Sequence, residues 1–334
     1  MVYSPIFYQG DVAQEIHSAV IASNRTSTRK LLRLEDDIKY QRVLTSISGE
    51  LAWQEYKEQI READIPGLAA VNNWKMGDRL LTPARLMAFD NITLSQLLKT
   101  RYAADMAAGA VNIGSTPFEN QATGHLVPRL GKSYEKLLYT SITAATKASI
   151  AASNVPTASQ KAWAAAQTPF LFDGIVANLI KAGIENPDDT VKAVTSTTVT
   201  GSNVGAEYAK IYAQIDEEEL EDGSVVIYSP LADMKTITAA NQLKEFKDTF
   251  QVIGTGKDMT VTYNNVPVEF VPTPARFAGY GGETGDFVHG TDLTSDLTSF
   301  KLDKVNAMSE DLFFKLVATA CTTTLDTYKK VLYL

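Results

Sequence analysis

Met259-Thr260-Val261-Thr262-Tyr263-Asn264-Asn265-Val266-Pro267-Val268-Glu269-Phe270-Val271-Pro272 is where the hydrophobic period of the chain falls to two. Alternation of apolar and polar side chains marks a strand with one face buried. The Asn264-Asn265 pair between two such runs predicts a hairpin, with strands over 259–263 and 266–271. Pro272 and Pro274 end the second strand. Upstream, Val225-Val226-Ile227-Tyr228 is apolar without alternation, the pattern of a strand buried on both faces, and Ser229-Pro230 stops it. A helix is expected over 231–246. Downstream, Phe287-Val288-His289, Leu312–Ala320 and Val331–Leu334 read as further strands, with a Thr-rich connection between the last two.

The N-terminal half reads differently. Val12, Ile16, Ala19 and Val20 fall at helical spacing in residues 11–23. A locally basic arm follows, with Arg25, Arg29, Lys30, Arg33, Lys39 and Arg42 against Glu35, Asp36 and Asp37; a solvated charged face is the plain alternative. Residues 49–90 hold Trp53 and Trp74 among turn signals and carry too little apolar material to fold alone, so their aromatics must bury against something. Helices are expected at 91–111, at 131–152 (the longest signal, with Ser133 as a possible cap) and at 170–181, with loop from Gly114 to Gly124. Helix-rich first, mixed in the middle and strand-rich last is the order of an α+β fold.

The chain has 334 residues, 45% of them apolar and 21% charged, an ordinary globular composition with ample core. Its net charge of −8 argues against a dedicated nucleic-acid binder, which needs a basic surplus, but does not exclude a shell that merely encloses DNA. One cysteine, Cys321, excludes an internal disulfide and reads as a small buried hydrophobe. The start of the chain has no signal-peptide pattern, and no apolar run approaches the ~20 residues that span a bilayer. No membrane association is expected.

Catalysis needs convergent ionisable groups, and few are offered. His17, His125 and His289 lie far apart in the sequence, without metal-ligand spacing. Gly254-Thr255-Gly256-Lys257 has Gln251 where a phosphate loop needs its first Gly and Asp258 where it needs Ser or Thr. Gly279-Tyr280-Gly281-Gly282-Glu283-Thr284-Gly285 follows prolines rather than a strand and has Thr284 in place of the third Gly of a dinucleotide fingerprint. Both read as flexible surface loops. The acidic run Asp216, Glu217, Glu218, Glu219, Glu221 and Asp222 lacks the spacing of a calcium loop and reads as a solvated, repulsive face. No catalytic residue, cofactor or metal site is therefore assigned, and the chain is not expected to be an enzyme.

In their order these segments resemble the major capsid proteins of tailed bacteriophages with the Hong Kong 97-type fold. The likeness is carried by Gln9-Gly10-Asp11-Val12-Ala13-Gln14-Glu15-Ile16 leading into the basic arm, by Thr168-Pro169-Phe170-Leu171-Phe172-Asp173-Gly174-Ile175, by the turn and strand from Asp222 to Pro230, by Asn265–Pro272 (with Asn265 where a Gly is usual) and by Gly290-Thr291-Asp292-Leu293. It implies an N-terminal arm (1–48), an extended loop (49–95), a peripheral domain with a long spine helix (96–169 and 259–334) and an axial domain (170–258). It further implies a structural virion protein that self-assembles as pentamers and hexamers into an icosahedral shell around double-stranded DNA, assembled in the host cytoplasm and resident in the virion. Its partners would be identical subunits, packaged DNA by non-specific contact, and portal, scaffold or decoration proteins. Arg25, Arg29, Lys30 and Arg33 would form an arm facing DNA or a neighbour, and Trp53 and Trp74 would anchor the loop on the next subunit. A phage tail or adhesion protein and an encapsulin-like nanocompartment shell are the competing readings.

Overall fold

The computed structural model describes residues 6–9, 18–48, 75–92, 116–185, 191–194, 198–215, 217–243, 249–254, 259–292, 299–304, 312–325 and 330–334. In chain order the strands are β1 (Ile6–Gln9), β2 (Arg33–Glu35), β3 (Arg42–Ser48), β4 (Lys75–Leu81), β5 (Ala84–Ile92), β6 (Lys192–Val194), β7 (Val225–Pro230), β8 (Phe250–Ile253), β9 (Thr260–Tyr263), β10 (Val266–Val271), β11 (Arg276–Tyr280), β12 (Phe287–Gly290), β13 (Ser299–Lys304), β14 (Leu312–Thr324) and β15 (Val331–Tyr333). The helices are α1 (Arg25–Thr28), α2 (Thr116–Thr140), α3 (Ala144–Ala152), α4 (Ala158–Ala166), α5 (Ile175–Glu185), α6 (Val204–Tyr212), α7 (Glu217–Asp222) and α8 (Leu231–Leu243).

The hairpin forms as its sequence demands. Asn264 and Asn265 take φ of 47° and 67°, the left-handed pair of a two-residue turn, and Val266 pairs with Tyr263. β9 and β10 belong to a seven-stranded sheet in the order β6-β15-β11-β7-β10-β9-β8. Its central strands bury both faces. Ile227, Val268, Phe270, Ala278, Val331 and Tyr333 point into a core shared with α6 and α8. Tyr228, Val271, Phe277 and Leu332 point the other way, into a core shared with α2 and α5. This two-sided burial explains why β7 reads as uninterrupted apolar sequence. The sheet takes β6, β7 and β8 from before residue 258 and β9, β10, β11 and β15 from after it. The expected cut between an axial domain ending at 258 and a peripheral domain resuming at 259 therefore passes through one hydrogen-bonded ladder.

A second, six-stranded sheet is organised on β14. β13 and β12 pair in tandem along one side of it and β5 along the other, while β1 extends β13 and β2 lies parallel to β12. Phe314, Leu316 and Ala88 pack on Leu126, Val127 and Leu130 of α2, so this helix covers one face of the sheet. β3 and β4 pair only with each other, as a two-stranded ribbon. β3, in the expected arm (1–48), pairs with β4 in the expected extended loop (49–95), and β5 of that expected loop pairs with β14.

The spine helix is also displaced. It runs over Thr116–Thr140 instead of 131–152, and it includes residues expected as loop. At Ser141-Ile142-Thr143 the chain breaks before α3 begins. The break is held from outside: Gly174 N–H donates to Ser141 O at 2.8 Å and Phe170 N–H to Ile142 O at 2.7 Å. Thr143 caps α3 through Thr146 N–H, and its own N–H donates to Asp173 Oδ1 at 2.7 Å. Residues 91–92 end β5, and the rest of the helix expected at 91–111 lies outside the described residues. The acidic run forms α7, and it is not simply a solvated face, because Glu219 is buried beneath it.

A methyl group on Gly174 would come within 2.8–2.9 Å of the backbone of Tyr139 and Ser141. Gly174→Ala is expected to destabilise the chain by about 1–3 kcal/mol through this overpacking, read as a lowered thermal unfolding midpoint.

Candidate assembly site: an N-terminal strap and an extended ribbon

Residues 24–35, the expected basic arm, lie as a strap across the junction of the two sheets. Asn24 accepts Ser27 N–H at 2.7 Å and starts the single turn α1. The turn ends with Lys30 in the left-handed region (φ 53°), with Lys30 N–H donating to Ser27 O and Leu31 N–H to Thr26 O. This tight reversal aims Thr26 inward. Its N–H and hydroxyl both donate to Glu135 Oε1 of α2, at 2.8 and 2.6 Å. With the Thr26 proton so committed, Tyr139 donates to Thr26 Oγ1 at 3.0 Å. Burial pushes the Tyr139 phenol well above its ordinary range, so it stays protonated as that role requires.

On the other flank, Arg29 places Nη1 at 2.8 and 2.9 Å from the two oxygens of Glu269 on β10, and Nη2 donates to Met259 O at 3.0 Å. Arg25 reaches the same carboxylate at 3.7 Å. Burial lowers the Arg25 pKa and the neighbouring Arg29 lowers it further, while Glu269 and Glu135 oppose the shift. Further along, Leu31 O accepts the Tyr228 hydroxyl at 2.7 Å, and Tyr228 stacks on Phe277 with ring centres 4.7 Å apart. Lys30 pairs with Glu283 at 2.8 Å on the surface, where both side chains are about two-thirds exposed (68% and 66%); such a pair contributes roughly 0–1 kcal/mol. Glu35, nearly buried, takes Arg33 at 2.6 Å and Arg42 at 2.9 Å, tying β2 to the root of the ribbon. The four cations expected as a free arm are thus ion-paired within their own chain.

The ribbon rises from a small core of Ile38, Leu44, Leu81, Val288, Cys321 and Leu325. Val43 faces Leu80 across it, both exposed, and Thr45 donates to Asp78 at 2.9 Å. Trp53 and Trp74, expected to anchor the loop on a neighbour, lie outside the described residues. At the sheet junction Gly279, Gly281 and Gly285 of the expected loop are close-packed, while its tip at 282–284 is an open surface turn. Gly279 admits the stem of buried Lys330, which pairs with Asp286, and a methyl on Gly281 would meet the Tyr228 hydroxyl and Val226 at 2.7 Å. The residues that sequence reading missed are the acceptors, Glu135 and Glu269. Both look like ordinary surface carboxylates until the fold brings the strap to them.

A second buried network stiffens the seven-stranded sheet. Arg276 clasps Asp233 through two bonds of 2.5 and 2.7 Å, and Tyr208 donates to Ser229 at 2.8 Å beside them. Tyr333 donates to Glu207, which also holds Lys210 at 2.8 Å. His289 sits buried against the Tyr134 hydroxyl at 2.7 Å. Among the described residues no group of three or more His, Cys, Asp or Glu is placed to hold a metal ion, and no helix is long and apolar enough to cross a membrane. The arrangement is a body of two sheets braced by buried polar bonds, with a two-stranded ribbon that pairs only with itself.

No family model matches the sequence, and no curated protein does. Solved structures do match its fold. A chain of the satellite phage P4 procapsid including size determination (Sid) protein aligns with a TM-score of 0.54 at 11% identity, over 96% of this chain and 98% of that one. The capsid of an empty GTA particle (TM-score 0.49, 8% identity, 93% and 89% covered) and a virus-like particle from Pyrococcus furiosus (0.46, 8%, 97% and 100%) are more distant and add nothing to the assignment. At these identities the likeness is one of fold. The chain has the α+β capsid fold of the Hong Kong 97 type, as the order of its segments suggested.

Glu269→Ala would leave two partly buried guanidinium groups facing each other and is expected to cost about 2 kcal/mol or more. Pairing it with Arg29→Met should recover part of the loss in a double-mutant cycle of unfolding midpoints. Burial pushes the Cys321 thiol up to about 12, so it stays protonated, and the thiolate is the reactive form. The native chain is expected to resist a thiol-specific reagent at pH 8, and the denatured chain to react with one equivalent.

Proposed function

We propose that this chain is the major shell subunit of a tailed phage, acting by tiling with copies of itself and catalysing nothing. The observation that carries the reading is the correspondence of fold with a procapsid chain along almost the whole length of both. The acidic balance supports it, since a wall of net charge −8 does not bind the genome it encloses. The reading puts the seven-stranded sheet, with its short acidic helix α7, toward the centre of each five- or six-membered ring, and the β14 sheet with α2 at the ring edge. The segment between β3 and β4, carrying Trp53 and Trp74, crosses to the next subunit.

In this reading Arg25 and Arg29 serve the subunit's own rigidity. Lys30 and Arg33, nearer solvent, face DNA or a neighbour. Repetition makes weak contacts sufficient, because each bond of ~1–2 kcal/mol recurs at every copy of a closed assembly. Portal, scaffold and decoration proteins, and a virion location, follow from the same role.

Purified full-length protein, alone or with the co-expressed products of neighbouring reading frames, is expected to form closed hollow particles in negative-stain electron micrographs. Strictly monomeric material under all ionic conditions would overturn the proposal. Lys30→Glu is expected to leave the unfolding midpoint unchanged and to lower nuclease-protected DNA per particle. Unchanged DNA content removes Lys30 from any DNA-facing role.

A further inference from the structure

β5 is the outer strand of its sheet. Its nine residues pair with β14 on one side, and β13 occupies the opposite side of β14 over the same stretch, Leu312–Val317. Among the described residues no strand lies along its outer side. Long edges are usually blunted by lysine, proline or a bulge, because their unpaired backbone groups recruit another strand. β5 has neither Lys nor Pro, and its charges are Arg85 and Asp90. Leu86 and Ala88 turn inward onto the cores. The outward face presents Met87, 61% exposed, and Phe89, 58% exposed, with Phe89 5.7 Å from the Phe313 ring. An open backbone edge calls for a strand, and a Met/Phe face calls for an apolar one.

We infer that β5 pairs antiparallel with β5 of a second copy across a two-fold axis, joining two six-stranded sheets into one. Of the three central positions of β5, Ala88 gives the register that matches its side chains best. For an axis perpendicular to the sheet, residues opposite each other share a face, so the centre must fall on a residue. Centring on Ala88 sets Met87 against the partner's Phe89 and Phe89 against the partner's Met87. It also sets Arg85 against Asn91 and Leu86 against Asp90, so no like charges oppose. Centring on Met87 sets Arg85 on Phe89, and centring on Phe89 carries Arg85 past the end of the ladder. The inference rests on the shell reading for its setting. A closed shell needs contacts between rings as well as around them, and a self-complementary strand pair supplies a two-fold contact.

Co-assembled Met87→Cys and Phe89→Cys full-length chains test it. Directly opposed residues come within disulfide reach, so mild oxidation followed by a denaturing non-reducing gel is expected to show several-fold more covalent dimer from the mixture than from either variant alone. Equal amounts in all three samples overturn the strand pair. Met87→Lys gives an independent reading. An exposed position should leave the unfolding midpoint unchanged while particle yield falls roughly ten-fold, the loss of about 1.4 kcal/mol of association. Undiminished yield overturns the inference and leaves the shell standing. If the wild-type chain forms no particles, the shell reading fails, and the cysteine mixture at high concentration still decides the strand contact.

Discussion

Two carboxylates, Glu135 on α2 and Glu269 on β10, receive the strap from opposite sides, and the rest of the subunit is arranged around that grip. Thr26 gives one of them two short hydrogen bonds, and Arg29 gives the other a pair at 2.8 and 2.9 Å. The two sheets already share a hydrophobic core, in which Tyr228, Phe277 and Leu332 of one meet Leu86, Phe287 and Ala320 of the other around α2 and α5. The strap adds polar anchors to that core, tying α2 through Glu135 and the seven-stranded sheet through Glu269 to one continuous dozen-residue segment. The anchors sit in low-dielectric surroundings, where leaving a charge without its counterpart is costly. Strap and sheets are therefore bound to move together.

This coupling would serve the proposed shell role. A tile that flexed between its two sheets would spread one interface geometry over many angles, and closure of a curved surface needs few angles. The buried Arg276–Asp233 and Tyr333–Glu207 bonds act in the same sense within the seven-stranded sheet. Hydrophobic burial supplies the bulk of the stability. The buried polar bonds fix which packing is adopted, since each is satisfied in one arrangement of the elements around it.

What could be read from the sequence was local. The Asn264-Asn265 turn, the strand at Val225 and the strand at Phe287 each carry a short-range pattern that the fold keeps. The spine helix was misplaced because its first half holds Pro117, Gly124, Pro128 and Gly131, all poor helix residues by propensity. Packing overrides them. Gly131, for one, lets the chain at Val20–Ser23 approach so closely that a methyl there would meet Val20 O at 2.7 Å. The break after Thr140 had a signal in Thr143, a good N-cap, but the Ala-rich run on either side reads as one helix. At the candidate site the basic residues were visible and their partners were not. Glu135 and Glu269 lie over a hundred and over two hundred residues away from the strap, and charge pairing across such distances leaves no mark in a single sequence. The glycines of 279–285 were visible too, but close approach and looseness produce the same letters.

The pairing of β15 bears on how the chain is made. Residues 331–333 sit between β6 and β11, inside the seven-stranded sheet, and residues 6–9 are stitched to 299–302. The six-stranded sheet is not complete until Thr324 has left the ribosome, and the seven-stranded one not until Tyr333 has. Such far-reaching pairings fold slowly, and a nascent chain spends that interval with its strand edges open. In the proposed shell role, polysomes carrying many copies would be protected from premature lattice growth by topology itself, because a half-made chain has no finished border to offer its neighbours.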